Sequence, residues 1–368
     1  MRIAFYAPLK PPDHPVPSGD RRVAQLLLDA LRRAGHEPML ASRFRSFDGR
    51  GDRGRQARLA GLGRKLAERC LRRWGAAPAA GPRLWFTYHL YHKAPDWLGP
   101  RVAGALGIPY VVAEASFAPK QARGAWAAGH RAAEQAIRCA AAVIGLNPAD
   151  RGCVLPLLAE PSRWVAIAPF VDARLYIPRA RQAGGPPRLI TTAMMRPGDK
   201  LASYRVLGDA MARLLDLDWS LEVVGDGSAR LEVEAALAPL GDRVIWAGAL
   251  APEALARHLA DADLCVWPAI NEALGMALLE AQASGLPVVA GACGGVAGIV
   301  AHEVTGLLAP PGEAAAFAAA VRRLVVDGDL RRRFGEAARR RVLAEHDLSG
   351  AAARLTAVIE RLWPAHAA

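Results

Sequence analysis

Strand-length apolar runs alternate with helical stretches along almost the whole chain, and this alternation limits its fold more than any other feature. Strands are expected at residues 2–7, 83–89, 109–115, 141–147 and 163–169. Among the helices between them, one opens at Ser18-Gly19-Asp20, carries Ala24, Leu27, Leu28 and Leu31 on one face, and stops at Gly35. An Ala-rich helix is expected over residues 126–140. From residue 172 to 188 the pattern lapses into Pro, Gly and Arg, and it then restarts with strands at 189–194, 221–224, 244–247, 264–267, 287–290 and 306–308. Strands separated by helices predict parallel sheets covered on both faces. At 368 residues two such domains fit. The expected division is a first doubly wound domain over 1–172, a linker over 173–187, a second domain over 188–347, and a C-terminal helix over 348–368 that can pack back on the first. Two such halves would leave a cleft facing the carboxyl ends of their strands, where ligands of this fold class bind.

Composition narrows the function classes. No run approaches the roughly 18 apolar residues of a membrane span. The opening ten residues read as a strand rather than a signal peptide. The five cysteines (Cys70, Cys139, Cys153, Cys265, Cys293) are scattered singly, which fits free thiols in a reducing cytoplasm. No His or Cys set has metal-ligand spacing. The net charge of +12 is uneven: residues 41–75 hold eleven Lys or Arg against three acids. Such a stretch can hold an anionic membrane surface or be simply a solvated face; no nucleic-acid module accompanies it.

The stretch most loaded with chemistry follows the apolar run Leu264-Cys265-Val266-Trp267-Pro268. Asn271-Glu272-Ala273-Leu274-Gly275 leads into a helix carrying Glu280, which Gly285-Leu286-Pro287 ends. A helix entrance offers free amides and a positive dipole end, which suits a phosphate. Carboxylates beside an anion site cost electrostatic energy, so Glu272 and Glu280 need another use, such as accepting hydrogen bonds from sugar hydroxyls.

Six segments over residues 188–347 occur together in order. They are Met194-Met195-Arg196-Pro197-Gly198-Asp199-Lys200, Leu221 to Gly227, Asp242 to Gly248, the Glu272–Glu280 stretch, Gly294-Gly295, and Thr305 to Gly312. The ordered set resembles the family 4 glycosyltransferases (glycosyl transferases group 1), whose fold is GT-B: two Rossmann-like domains around a cleft. The resemblance implies sugar transfer from a nucleoside diphosphate sugar with retention of configuration, no metal and no other cofactor. By that match Glu272 faces the donor sugar and Glu280 the ribose. Gly275, Met276 and Ala277 meet the sugar and distal phosphate through backbone amides, and Arg196 and Lys200 neutralise the diphosphate. Gly225 and Gly248 fall in the donor-side segments. The Arg-to-Lys spacing is one residue shorter than usual, and Leu201 stands where the family has glycine.

The first half resembles the family more loosely. Gly19 takes the place of a Gly-rich first loop, and Ala115 stands where a Thr-x-His histidine is common. His89 and His92 follow the neighbouring strand, and His92 or Glu114 is the candidate for orienting the acceptor or the donor sugar; aromatic packing at a strand end is the competing account. Two Asp-x-Asp pairs, Asp216-Leu217-Asp218 and Asp261-Ala262-Asp263, precede strands and read as turn residues rather than a metal site.

The expected activity is therefore transfer of a hexose-type sugar from a UDP-, GDP- or ADP-sugar to a glycan, glycolipid or lipid-linked hydroxyl. The expected setting is the cytoplasm, with a candidate contact on the inner membrane face through residues 41–75. Two rivals are an NAD(P)-dependent oxidoreductase and a non-catalytic sugar-nucleotide binder. Gly225-Asp226-Gly227-Ser228-Ala229-Arg230 has only the first two glycines of the dinucleotide fingerprint.

Overall fold

The computed structural model describes residues 1–179 and 185–362. Its internal contacts divide the chain into Met1–Ala168 together with Leu348–Ala368, and Pro169–Asp347. Of the expected linker over 173–187, residues 180–184 lie outside the described residues, as do 363–368 of the C-terminal helix.

The first unit runs β1 (Arg2–Tyr6), α1 (Gly19–Arg33), β2 (Glu37–Ser42), α2 (Arg53–Gly75), β3 (Leu84–Leu90), α3 (Gly99–Leu106), β4 (Tyr110–Ala115), α4 (Ala127–Cys139), β5 (Ala142–Gly145), α5 (Arg151–Val154) and β6 (Trp164–Ala166). Its strands pair in parallel in the order β2-β1-β3-β4-β5-β6. β2 was not among the expected strands. It is an edge strand, only half-buried, and it contains Pro38, so it shows neither a continuous apolar run nor a clean alternation. The central strands are mostly buried, and Phe5 of β1 stacks on Phe86 of β3 with ring centroids 5.7 Å apart. Below β3 and β4 the buried Asp96 accepts from Thr87 Oγ1 (2.6 Å), Tyr110 Oη (3.0 Å) and the amides of Leu98 and Gly99 (2.8 Å each). Burial holds this carboxyl above the usual range in spite of those donors.

The second unit runs β7 (Arg188–Thr192), α6 (Asp199–Ala212), β8 (Ser220–Val224), α7 (Arg230–Leu237), β9 (Val244–Gly248), α8 (Pro252–Asp261), β10 (Leu264–Trp267), α9 (Met276–Ala283), β11 (Val288–Gly291), α10 (Val296–Ile299), β12 (Gly306–Ala309), α11 (Ala314–Val326) and α12 (Gly328–Glu345). Its sheet is also six-stranded and parallel, in the order β12-β11-β10-β7-β8-β9. The last helix, α13 (Leu348–Leu362), belongs to the first unit, where it packs on α1. Neither sheet winds in one direction only. The first reverses between β1 and β3, the second between β7 and β10, and such reversals open a crevice at the carboxyl ends of the two strands.

Candidate functional site

In the second unit the reversal brings the loop after β7 against the loop after β10. Three successive residues of the second loop are tied to the first turns of α6. Ile270 N donates to Ser203 Oγ (3.2 Å), Asn271 Nδ2 donates to Asp199 Oδ2 (2.9 Å), and Lys200 Nζ donates to Glu272 Oε2. Trp267, the buried last residue of β10, lies under this pair. The Lys200 ammonium is 5.2 Å from its ring centroid, and its Nε1 lies 3.4 Å from Glu272 Oε2. The structure thus brings Lys200 and Glu272 into direct contact.

Arg196 lies in the same loop, exposed, with no side-chain hydrogen bond among the described residues. The backbone beneath it is clamped by the glycine-rich loop after β8. Met195 N donates to Asp226 O (3.0 Å), and Ala229 N donates to Met195 O (3.0 Å). A Cβ on Gly225 would stand 1.9 Å from Ala193 O, and one on Gly227 2.2 Å from Met195 O. The glycines that resembled part of a dinucleotide fingerprint are needed for this close approach of two loops. Gly248, at the end of β9, accepts from Gly225 N at 2.8 Å.

Gly275 caps α9 in the left-handed region, φ +67°. Leu278 N and Leu279 N make the first bonds back to Gly275 O, so the amides of Gly275, Met276 and Ala277 precede the hydrogen-bonded turns. Glu280 is buried one turn further on. The Glu272 loop is held from the other side by Gly294-Gly295: Gly295 N donates to Glu272 O (3.0 Å), and a Cβ on Gly294 would sit 2.1 Å from that oxygen.

In the first unit Gly19 is the exposed first residue of α1, with nothing within 4 Å of a Cβ placed on it. Ala115 is buried at the end of β4. Glu114 is held by the start of the next loop, its Oε1 accepting from Leu146 N (2.6 Å) and Asn147 N (3.0 Å), and burial raises its pKa. His92 lies apart from this hydrogen-bonded group. Its ring stands edge-on to Trp126 at 5.9 Å, and its Nε2 is buried without a hydrogen-bond partner among the described residues. Burial lowers its pKa. The residue beside Glu114 on the adjacent strand is His89, which motif spacing alone does not mark as a site residue. Its signal was the density of aromatics and histidines in Tyr88-His89-Leu90-Tyr91.

Both Asp-x-Asp pairs lie at the amino ends of strands. Asp216 is bridged to Arg322 (2.7 Å), Asp261 to Arg179 (2.5 Å), and Asp263 accepts from Arg188 N (2.9 Å). Among the described residues no three His, Cys, Asp or Glu side chains are grouped to hold a metal ion.

Comparison with known proteins bears on the chain both by sequence and by fold. Residues 199–341 match the family model described as glycosyl transferases group 1. A 2-deoxystreptamine glucosyltransferase of Streptomyces kanamyceticus is 36% identical over 128 residues, 34% of this chain and 33% of that protein. A D-inositol 3-phosphate glycosyltransferase of Kineococcus radiotolerans is 33% identical over 236 residues, 56% of this chain and 54% of that one. The chain thus spans about a third to about half of the length of these curated relatives. Among solved structures, sucrose-phosphate synthase from Thermosynechococcus elongatus superposes with a TM-score of 0.78 at 22% identity, covering 99% of this chain and all (100%) of that one. The fold is the two-domain GT-B fold.

Proposed function

We propose that the chain is a family 4 glycosyltransferase. In this reading it moves a hexose-type sugar from a UDP-, GDP- or ADP-sugar to a hydroxyl of a glycan, glycolipid or lipid-linked acceptor, with retention and without a metal. The observation that carries the reading is the meeting of Lys200 with Glu272 beside the entrance of α9, at the winding reversal of a group 1 domain. The relatives' names, which speak of glucosyl and glycosyl transfer, support the reaction class.

Each side chain then has a task its surroundings suit. The bond between the anomeric carbon and the diphosphate breaks, the acceptor oxygen takes its place, and the hydroxyl proton goes to the departing diphosphate or to water as the diphosphate leaves as an anion. Arg196 and Lys200 stabilise that growing charge, aided by the free amides at Gly275, Met276 and Ala277. Glu272 accepts from donor-sugar hydroxyls and Glu280 from the ribose. Gly19 and, for orienting the acceptor or the donor sugar, His92 or Glu114 are the first unit's contributions, and Gly225 and Gly248 shape the donor side.

The same reading sets the chain in the cytoplasm against the inner membrane face. Along α2, Arg58, Lys65, Arg69 and Arg72 recur at helical spacing with the half-exposed Leu62 among them. A basic face with an apolar residue suits an anionic lipid surface. Other basic residues of 41–75 are engaged locally: Arg43 pairs with Asp13, and Arg45 donates to Leu9 O. No described helix is long and apolar enough to cross a membrane.

The experiment is a thermal-shift panel of UDP-, GDP- and ADP-sugars beside NAD and NADP, with metal and with chelator. Stabilisation by one nucleotide sugar that survives chelation is the expected result. Stabilisation by NAD alone would turn the assignment to an oxidoreductase.

A further inference from the structure

The first unit has its own winding reversal, between β1 and β3. Two residues meet there. Asp20 lies in the first turn of α1, the helix that leaves β1, and His89 is the penultimate residue of β3. His89 Nδ1 is 2.8 Å from Asp20 Oδ1. A carboxylate on Nδ1 fixes the ring's orientation and leaves Nε2 to act on something else. Among the described residues nothing bonds to that nitrogen, and 28% of the side chain is exposed.

The backbone departs from the sheet at the same point. Tyr88 pairs with Ala113 and Leu90 with Ala115, and between them His89 and Glu114 both take left-handed φ, +60° and +57°. Only four non-glycine residues among those described do so, and these two are side by side on neighbouring strands. Residues with side chains hold that conformation when surrounding contacts enforce it, and such positions gather at functional sites. The two amides on Glu114 Oε1 supply part of the enforcement and leave Oε2 without a hydrogen bond among the described residues. A ring nitrogen and a carboxylate oxygen, both without a protein partner, therefore belong to adjacent residues.

The charges around them select the ligand. Asp20, Glu114 and Asp150 all act on His89, while Lys10 acts on Asp20. Positive charge is not in excess, so a phosphate or carboxylate gains little. A hydroxyl, which both donates and accepts, matches a ring N–H beside a carboxylate oxygen. We propose that His89, held by Asp20, binds a sugar or polyol hydroxyl through Nε2 while Glu114 Oε2 accepts from the same or the adjoining hydroxyl. Which molecule carries that hydroxyl, the donor sugar or the acceptor, rests on the transferase reading above. Burial alone would lower the His89 pKa, but the Asp20 hydrogen bond and charge, with Glu114 and Asp150, raise it, so Nε2 keeps its proton further up the pH scale.

The test uses the full chain labelled with 13C-histidine, as wild type, His89→Gln and Asp20→Asn. The Cε1 resonance missing from H89Q is followed while glucose, mannose, myo-inositol, UDP-glucose, GDP-mannose and ADP-glucose are added in turn. It should move with at least one of them; no movement with any overturns the proposal, whatever the enzyme turns over. Movement with a nucleotide sugar alone, with donor hydrolysis down about 100-fold in H89Q, assigns the hydroxyl to the donor. Movement with a free polyol, with hydrolysis kept and transfer to that polyol lost, assigns it to the acceptor. Donor hydrolysis and polyol transfer both within about threefold of wild type in H89Q also overturn the proposal. In D20N the titration midpoint of this resonance should fall, and an unchanged midpoint removes Asp20 from its positioning role. Failure of the transferase reading looks different: no nucleotide sugar is turned over by wild type, while the His89 resonance still answers to polyols.

Discussion

Lys200 donates a hydrogen bond to Glu272, so the cation assigned to the diphosphate and the carboxylate assigned to the sugar are partners of each other. Both side chains are about three-quarters or more shielded from solvent, Lys200 over the ring of Trp267 and Glu272 at its indole Nε1. Under the proposed function, a donor that uses both side chains has to exchange that ion pair for its own contacts.

Glu272→Gln tests the exchange. The change leaves an amide oxygen that can still accept from a sugar hydroxyl, but it removes the negative charge and with it the ion pair that holds Lys200. Turnover should fall by about 100-fold or more, while UDP or GDP binds as tightly as to wild type or more tightly. Turnover assays with calorimetry on the free nucleotide check this, and weakened nucleotide binding would contradict the pairing.

Arg196→Ala removes an exposed guanidinium that has no side-chain bond among the described residues, so the fold should not change. Binding of the nucleoside diphosphate should drop about tenfold or more while binding of the nucleoside stays level. Equal losses for both would take Arg196 out of the phosphate site.

Gly295→Ala places a methyl group 2.3 Å from Ala273 O. The Glu272 loop must shift to admit it, at a cost of about 1–3 kcal/mol, read as a lowered urea midpoint together with lost turnover. Gly298→Ala, where nothing lies within 4 Å of the new atom, should leave both unchanged.

The Asp20–His89 pair makes stability depend on pH. The His89 pKa is raised in the fold, so its contribution is full below the ordinary histidine range and disappears as pH rises through the raised value. The Asp20 pKa is depressed, burial being outweighed by the His89 hydrogen bond, so its contribution fades only in acid, as pH falls through the lowered value. Asp20→Asn should therefore lower the melting temperature more at pH 6 than at pH 9. An equal loss at both would deny the pairing.

Replacing Arg69, Arg72 and Arg73 with Gln should reduce binding to vesicles containing phosphatidylserine at low salt, with the difference shrinking as salt is added. These side chains are exposed on α2, so the melting temperature should hold. Unchanged vesicle binding would leave the helix as a solvated surface.

The chain's own pattern determined the two parallel sheets and eleven of their twelve strands, because these carry apolar runs, even at the half-buried edges β6 and β9. β2 escaped because an edge strand with a proline is only half-buried and carries a weaker pattern. Motif spacing likewise singled out Arg196, Lys200, Glu272 and Glu280 as candidates, since loop and helix entrance are continuous in the sequence. What only the tertiary structure decided were relations between distant segments. Glu272 meets Lys200, 72 positions away, because β7 and β10 are neighbours where the winding reverses. His89, not His92, meets Asp20, 69 positions away, because β1 and β3 are neighbours in the other sheet. Periodicity records which face of an element is buried; the order of strands in a sheet, which sets the partners of their loops, comes from the packing of the whole domain.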